Sequence, residues 1–187
     1  MTSSQLQIGY TSLWKMALPL CAGAFIQFFI VIIDNYFVAQ IDGNAMSAVS
    51  FVGLIYIALG MLGAGSSNAA QILIAKKTGE NQPKEISIVF QNAFLIQAVI
   101  VTIQIVTMAW LVPILLKQFI SNQEVLQYMT QFSQYRSIGF LFFSFIQLYH
   151  AYWSGTAQTK SVFYSTALVA LTTICCDYIF IFGQFGL

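Results

Sequence analysis

The sequence predicts an all-α integral membrane protein of about five transmembrane helices, and three observations carry that prediction. Of the 187 residues, 58% are hydrophobic and only 7% are charged, whereas a soluble domain carries about 25% charged residues. The apolar residues gather in five runs, each about as long as the roughly 20 residues a helix needs to cross the hydrocarbon of a bilayer. The short segments between the runs collect Gly, Pro, Asn and Lys, as loops do.

The first run, 16–40, follows the polar start MTSSQLQIGYTSLW and Lys15. It is too long for a signal-peptide core and reads as a retained span. It holds Pro19, whose missing N–H permits a bend, and, near its far end, Asp34. The second run, 46–75, contains GLIYIALGMLGAGSSNAAQ, where Gly60, Gly63, Ala64, Gly65, Ser66 and Ser67 crowd neighbouring turns ahead of Asn68 and Gln71. Small residues of this kind let helix backbones approach closely. The third, fourth and fifth runs cover 86–112, 129–153 and 162–183. Their connections are QIDGNAM, KKTGENQPKE, VPILLKQFISNQEVLQ and SGTAQTKS. The third of these is apolar enough to lie along the membrane surface. No soluble domain, long linker or low-complexity segment is left over.

A net charge of +1 gives no pointer to nucleic acid or to an acidic partner. The positions of the charges say more. Alternating the loops puts Lys15, Lys76, Lys77, Lys84 and Lys160 on one side and Lys117 with Arg136 toward the other. By the positive-inside rule the first side is cytoplasmic, so a multi-pass protein of the plasma or inner membrane is expected, with its N-terminus inside and its C-terminus outside. Cys21, Cys175 and Cys176 show no metal-ligand spacing and are expected to be small buried side chains.

Charged groups inside the spans are the candidate site. A carboxylate at the bilayer centre costs on the order of 3 kcal/mol, so Asp34 must face protein or water, or be protonated. Counted from the expected outer ends, Asp34, Arg136 and Asp177 share one depth, roughly 9 Å below the same surface. An Asp to Arg pair there would offset much of the desolvation cost. Polar stripes at helical spacing accompany them: Gly23, Gln27 and Asp34 in the first span; Gln97, Gln104 and Thr107 in the third; Arg136, Phe143, Gln147, His150 and Ser154 in the fourth; Thr166, Ala170, Thr173 and Asp177 in the fifth. For the glutamines and threonines the simplest role is interhelical hydrogen bonding. A carboxylate is an expensive way to do the same work, which marks Asp34 and Asp177 as functional. His150, the one histidine, lies far in depth from both aspartates and is expected to be a hydrogen-bonded member of its stripe. No nucleophile, base and orienting group converge, so an enzyme is not expected.

In their order and spacing, WKMALPL, VIIDNYFVAQIDGNAMSAVS, AGSSNAAQILIAKKTGENQ, YRSIGFLFF, YWSGTAQTKS and CDYIFIFGQFGL resemble the N-terminal part of a multidrug and toxic compound extrusion (MATE) transporter. The resemblance implies an incomplete N-terminal six-helix lobe over 1–187, with the sixth helix and the C-terminal lobe absent. It implies that Asp34 and Asp177 line a cavity in which proton or sodium binding exchanges with an organic, cationic, drug-like compound. Gln27, Thr173 and Arg136 would share that cavity, and Pro19 would couple it to helix shape. The family often has an asparagine where this sequence has Thr173, which disfavours sodium coordination at Asp34 and Asp177 relative to proton coupling. No cofactor beyond the coupling ion is expected. The expected partners are the lipid bilayer, small organic cations and the remaining half of the transporter or another copy. Two other readings stay open: a flippase for lipid-linked oligosaccharides, which would want a more basic cavity, and a non-transporting membrane interaction subunit.

Overall fold

A computed structural model describes residues 10–39 and 43–181. All of the elements in it are helices: α1 (Tyr10–Ala39), α2 (Gly43–Gly79), α3 (Pro83–Val106), a π-helical turn (Thr107–Leu111), α4 (Val112–Phe119), α5 (Gln123–Ser137), α6 (Gly139–Gly155) and α7 (Thr159–Ile181). Among the described residues, four helical stretches are long and apolar enough to cross a membrane: Trp14–Phe37, Met46–Gly79, Pro83–Phe119 and Thr159–Ile179.

Two expectations are corrected. The first concerns the end of the third span, where VPILLKQF was taken as loop. The helix instead runs on to Phe119, and only residues 120–122 connect it to α5. Pro113 explains the π turn just before it: proline has no N–H for the carbonyl four residues back, and its ring crowds that carbonyl. Widening one turn relieves both problems without ending the helix. The second correction concerns the fourth span, which is interrupted rather than continuous. Asn122 caps α5, its side chain accepting from Glu124 N at 3.0 Å and Val125 N at 3.4 Å, as N-caps do. Ser137 Oγ donates to Gln134 O at 2.6 Å, and the chain tightens so that Leu141 N bonds Ile138 O at 3.1 Å. A hydroxyl that bonds the preceding turn loosens a helix locally. Ile138 nevertheless keeps right-handed helical angles (φ −63°, ψ −29°), so α5 and α6 follow one another as a jointed span.

The chain divides into two compact units, Asn35–Thr156 and a second made of Met1–Asp34 with Ala157–Leu187. In the larger, α2 is the central helix and packs against α3, α5 and α6. Its buried positions follow one helical stripe: Ala48, Val52, Tyr56, Gly60, Gly63, Ser67, Ala70 and Ile74. The early part of that stripe joins Met108, Val112, Leu116, Leu126, Met129 and Phe140 in an apolar core. In the smaller unit, α7 buries Thr159, Val162, Thr166 and Ala170. The three cysteines are free thiols, with Cys21 and Cys175 exposed and Cys176 half-buried. The expectation of buried cysteines therefore fails for Cys21 and Cys175, which sit on outward helix faces.

Candidate functional site

The smaller unit places two of the expected polar stripes against each other. Gly23 is buried, and a Cβ built there would lie 3.8 Å from Thr166 Oγ1. The faces of α1 and α7 that carry Gly23 and Thr166 are thus in van der Waals contact. Eleven residues separate Gly23 from position 34, and eleven separate Thr166 from Asp177. Eleven residues make three turns plus about 20°, and rise about 16 Å. Along their own helices, positions 34 and 177 thus lie at the same distance, and at nearly the same angle, from Gly23 and Thr166 respectively. The Asp34 side chain lies outside the described residues. Asp177 and Thr173, one turn before it, are half-buried, as is Pro19, while Gln27 is exposed.

Arg136 belongs to the larger unit and is exposed. Its guanidinium carbon stands 4.6 Å from the centre of the Tyr56 ring and 5.3 Å from that of Phe132. Tyr56 in turn stacks on Phe140 at 4.1 Å. Cation–π contact of this kind holds an arginine through its planar face and leaves its N–H edge available. The rest of its expected stripe, Phe143, Gln147, His150 and Ser154, is half-buried. The fully packed face of α6 is instead Phe140, Ser144, Leu148, Ala151 and Gly155. His150 stands beside Trp153, ring centres 6.2 Å apart.

The third-span glutamines have the bonding role expected of them. Gln97 and Gln104 are completely buried. Gln104 Nε2 donates to Leu59 O at 2.8 Å, and its Oε1 accepts from Ser144 Oγ at 3.1 Å. One amide thus ties α3 to α2 and α6. Ser66 Oγ donates in a three-centre arrangement to Gly63 O and Gln97 Oε1. Gln97 Nε2 has no partner among the described residues. Room for both amides comes from Gly63: a Cβ there would lie 2.8 Å from Gln97 Nε2 and 3.4 Å from Gln104 Nε2. Sequence reasoning missed Ser144, which sits one position after Phe143 and so off the stripe that was followed. Its spacing of four from Phe140 and Leu148 was the available signal. None of these groups titrates near neutral pH, so this centre holds helices together. Among the described residues, no group of three His, Cys, Asp or Glu side chains could hold a metal ion.

No curated protein matches the sequence. A structural neighbour with TM-score 0.87 and 16% identity is a multidrug resistance MATE family transporter of the MOP superfamily, in its outward-facing conformation. Another, with TM-score 0.79 and 19% identity, is a MOP superfamily transporter from Pyrococcus furiosus described as having a binding pocket of reverse polarity. Each alignment covers 94% of this chain and 39% of the neighbour, so the chain spans well under half the length of either. At these identities the likeness establishes the fold. The family itself comes from the sequence: the model of the MatE family matches residues 19–179, and the chain belongs to that family.

Proposed function

We propose that this chain supplies part of a cation-coupled antiporter that exports organic, cationic, drug-like compounds, with Asp34 and Asp177 as the carboxylates that exchange the coupling ion for the substrate. The observation that carries the reading is the Gly23 to Thr166 contact. In this reading the two aspartate positions, each three turns from that contact along its own helix, come close enough for their carboxylates to share one proton, one sodium ion or one organic cation. Thr173 and Gln27 add neutral oxygen atoms, and Pro19 lets α1 bend as the site changes charge. Arg136, seated on Tyr56 and Phe132, keeps its N–H edge available for an anionic group. Proton is favoured over sodium by the hydroxyl at Thr173.

Alternating access needs two bundles moving about a site between them, so in this reading the chain works with the remaining half of the transporter or with another copy. Its N-terminus and the lysine-bearing loops would face the cytoplasm of a plasma or inner membrane. The test is efflux of a fluorescent organic cation from cells expressing the complete gene. Asp34→Asn is expected to abolish gradient-dependent efflux, and Asp177→Asn to reduce it strongly, both at normal membrane levels. Unchanged efflux in both variants would remove the carboxylates from the mechanism.

A further inference from the structure

At the end of the larger unit where α2 finishes in Lys76 and Lys77, α3 and α6 enclose a groove of about 340 Å³. Its walls are one face of the start of α3, carrying Pro83, Ser87 and Phe90, and one face of the end of α6, carrying Tyr149, Tyr152 and Trp153. The Phe90 ring lies 5.5 Å from Tyr149 and 5.2 Å from Tyr152. Four hydrogen-bond donors ring this aromatic floor: the hydroxyls of Ser87, Tyr149 and Tyr152 and the indole N–H of Trp153. None of the four is engaged by another described residue.

The charge around the groove is one-sided. Lys84 follows Pro83 and so flanks the groove face about 100° round the helix, while Glu85 falls about 200° round, on the reverse side. Lys77 is occupied by Glu80 at 3.0 Å and Gln82 at 2.9 Å, whereas Lys84 has no ion pair among the described residues. The chemistry also changes with depth. Phe94, eleven residues beyond Pro83 and on the same face, stacks on Phe145 at 4.7 Å, so the wall becomes pure hydrocarbon toward the middle of the span. Donors and a free cation at the end of the span, then aromatic rings, then apolar surface reproduce the order of phosphate, glycerol and acyl chain in a phospholipid. Tyrosine and tryptophan at the end of a span also match the interfacial level of a bilayer.

We propose that this groove binds an anionic glycerophospholipid from the leaflet at the lysine-bearing end. The phosphate meets Lys84 and the hydroxyl and indole donors, and an acyl chain lies along Phe90 and Phe94. A soluble phosphate would use only the donors, and a flat organic cation would be opposed by Lys84, so the lipid alone uses the whole groove.

Trp153 provides the readout. In a background with Trp14→Phe and Trp110→Phe, both at exposed positions, its fluorescence is the only tryptophan signal. The chain is reconstituted in phosphatidylcholine, and lipid with brominated acyl chains is titrated in as phosphatidylglycerol or as phosphatidylcholine. Brominated phosphatidylglycerol should half-quench Trp153 at about fivefold lower mole fraction, the preference that one lysine at an anionic surface supplies. Lys84→Gln combined with Ser87→Ala, both on exposed positions of α3, should bring the two lipids to parity. Equal quenching without those substitutions, or a preference that survives them, overturns the proposal. Relief of quenching by inorganic phosphate or by an aromatic cation overturns it too, by giving the groove to another ligand.

Discussion

Adding one methyl group at Gly155 should loosen the whole larger unit, because α6 packs there directly against the backbone and Ile74 of α2. A Cβ on Gly155 would lie 2.8 Å from Ile74 Cγ2, 3.0 Å from Ile74 Cβ and 3.0 Å from the backbone oxygen of Gln71. Non-bonded atoms at rest stand about 3.5–4.0 Å apart, so each contact is short by more than about half an ångström. Ile74 is fully buried and has no space to turn into, and the Gln71 carbonyl is fixed in the α2 ladder. The helices must therefore separate. Overpacking of this kind costs about 1–3 kcal/mol. Alanine recovers at most about 1 kcal/mol of helix propensity, and less here because Gly155 is the last residue of α6. A net loss of about 1–2 kcal/mol corresponds to a fall in Tm of about 2–8 °C for a chain of this size. Tryptophan fluorescence of the purified protein on heating in detergent measures it. In Gly155→Ala combined with Ile74→Ala, the new methyl occupies part of the space Ile74 vacates, so the combined loss should be about 1 kcal/mol smaller than the sum of the single losses. A Tm for Gly155→Ala equal to or above that of the parent protein would refute the argument.

Two further outcomes are expected in the same assay. Gln104→Leu breaks two interhelical bonds and should lower stability by about 1 kcal/mol, whereas Gln97→Leu gives up one bond from Ser66 but also removes a buried amide nitrogen that has no partner among the described residues and should cost less; equal losses would contradict the bonding assigned to the two residues. Ala157→Gly should stabilise by about 0.5 kcal/mol, because Ala157 is held at φ 62°, which costs an alanine about 1–2 kcal/mol, less the extra freedom glycine brings to the unfolded chain; a loss of stability would contradict it.

How much of this was legible in the sequence depended on whether the signal was long or local. Apolar runs of twenty-odd residues integrate over many side chains, and the first, second and fifth spans follow from them directly. The third outlasted its expected end because Pro113, read alone as a helix stop, is absorbed by one widened turn when the rest of the helix stays packed. The joint at Ile138 was hidden for the opposite reason: FLFFSFIQLYHAYW is a strong apolar run, and the capping signal SNQEV that starts α5 lies in what reads as connection. Buried Gln97 and Gln104 were visible as a stripe, but their partners Leu59, Ser66 and Ser144 were not, because hydrogen bonds across helices depend on packing register. The seat of Arg136 on Phe132 of its own helix and Tyr56 of α2 was not legible either, because those rings carry no charge and so left no electrostatic trace in the sequence.

The polar groups inside these helices separate by what can satisfy them. An amide such as Gln104 is neutral, and a carbonyl and a hydroxyl at fixed positions complete it, so it can be sealed in the bundle for good. A carboxylate cannot be finished that way, since its charge must be met by a cation or removed by a proton, and within hydrocarbon each remedy is costly to maintain. Fixed pairing would call for a lysine or arginine on the facing stripe. The stripes that accompany the aspartates, Gly23 and Gln27 on α1 and Thr166, Ala170 and Thr173 on α7, carry no basic residue. The proposed exchange of a coupling ion for a cationic substrate would meet that need at Asp34 and Asp177, because each would answer the charge in turn, and the same argument gives no such role to Gln97 or Gln104.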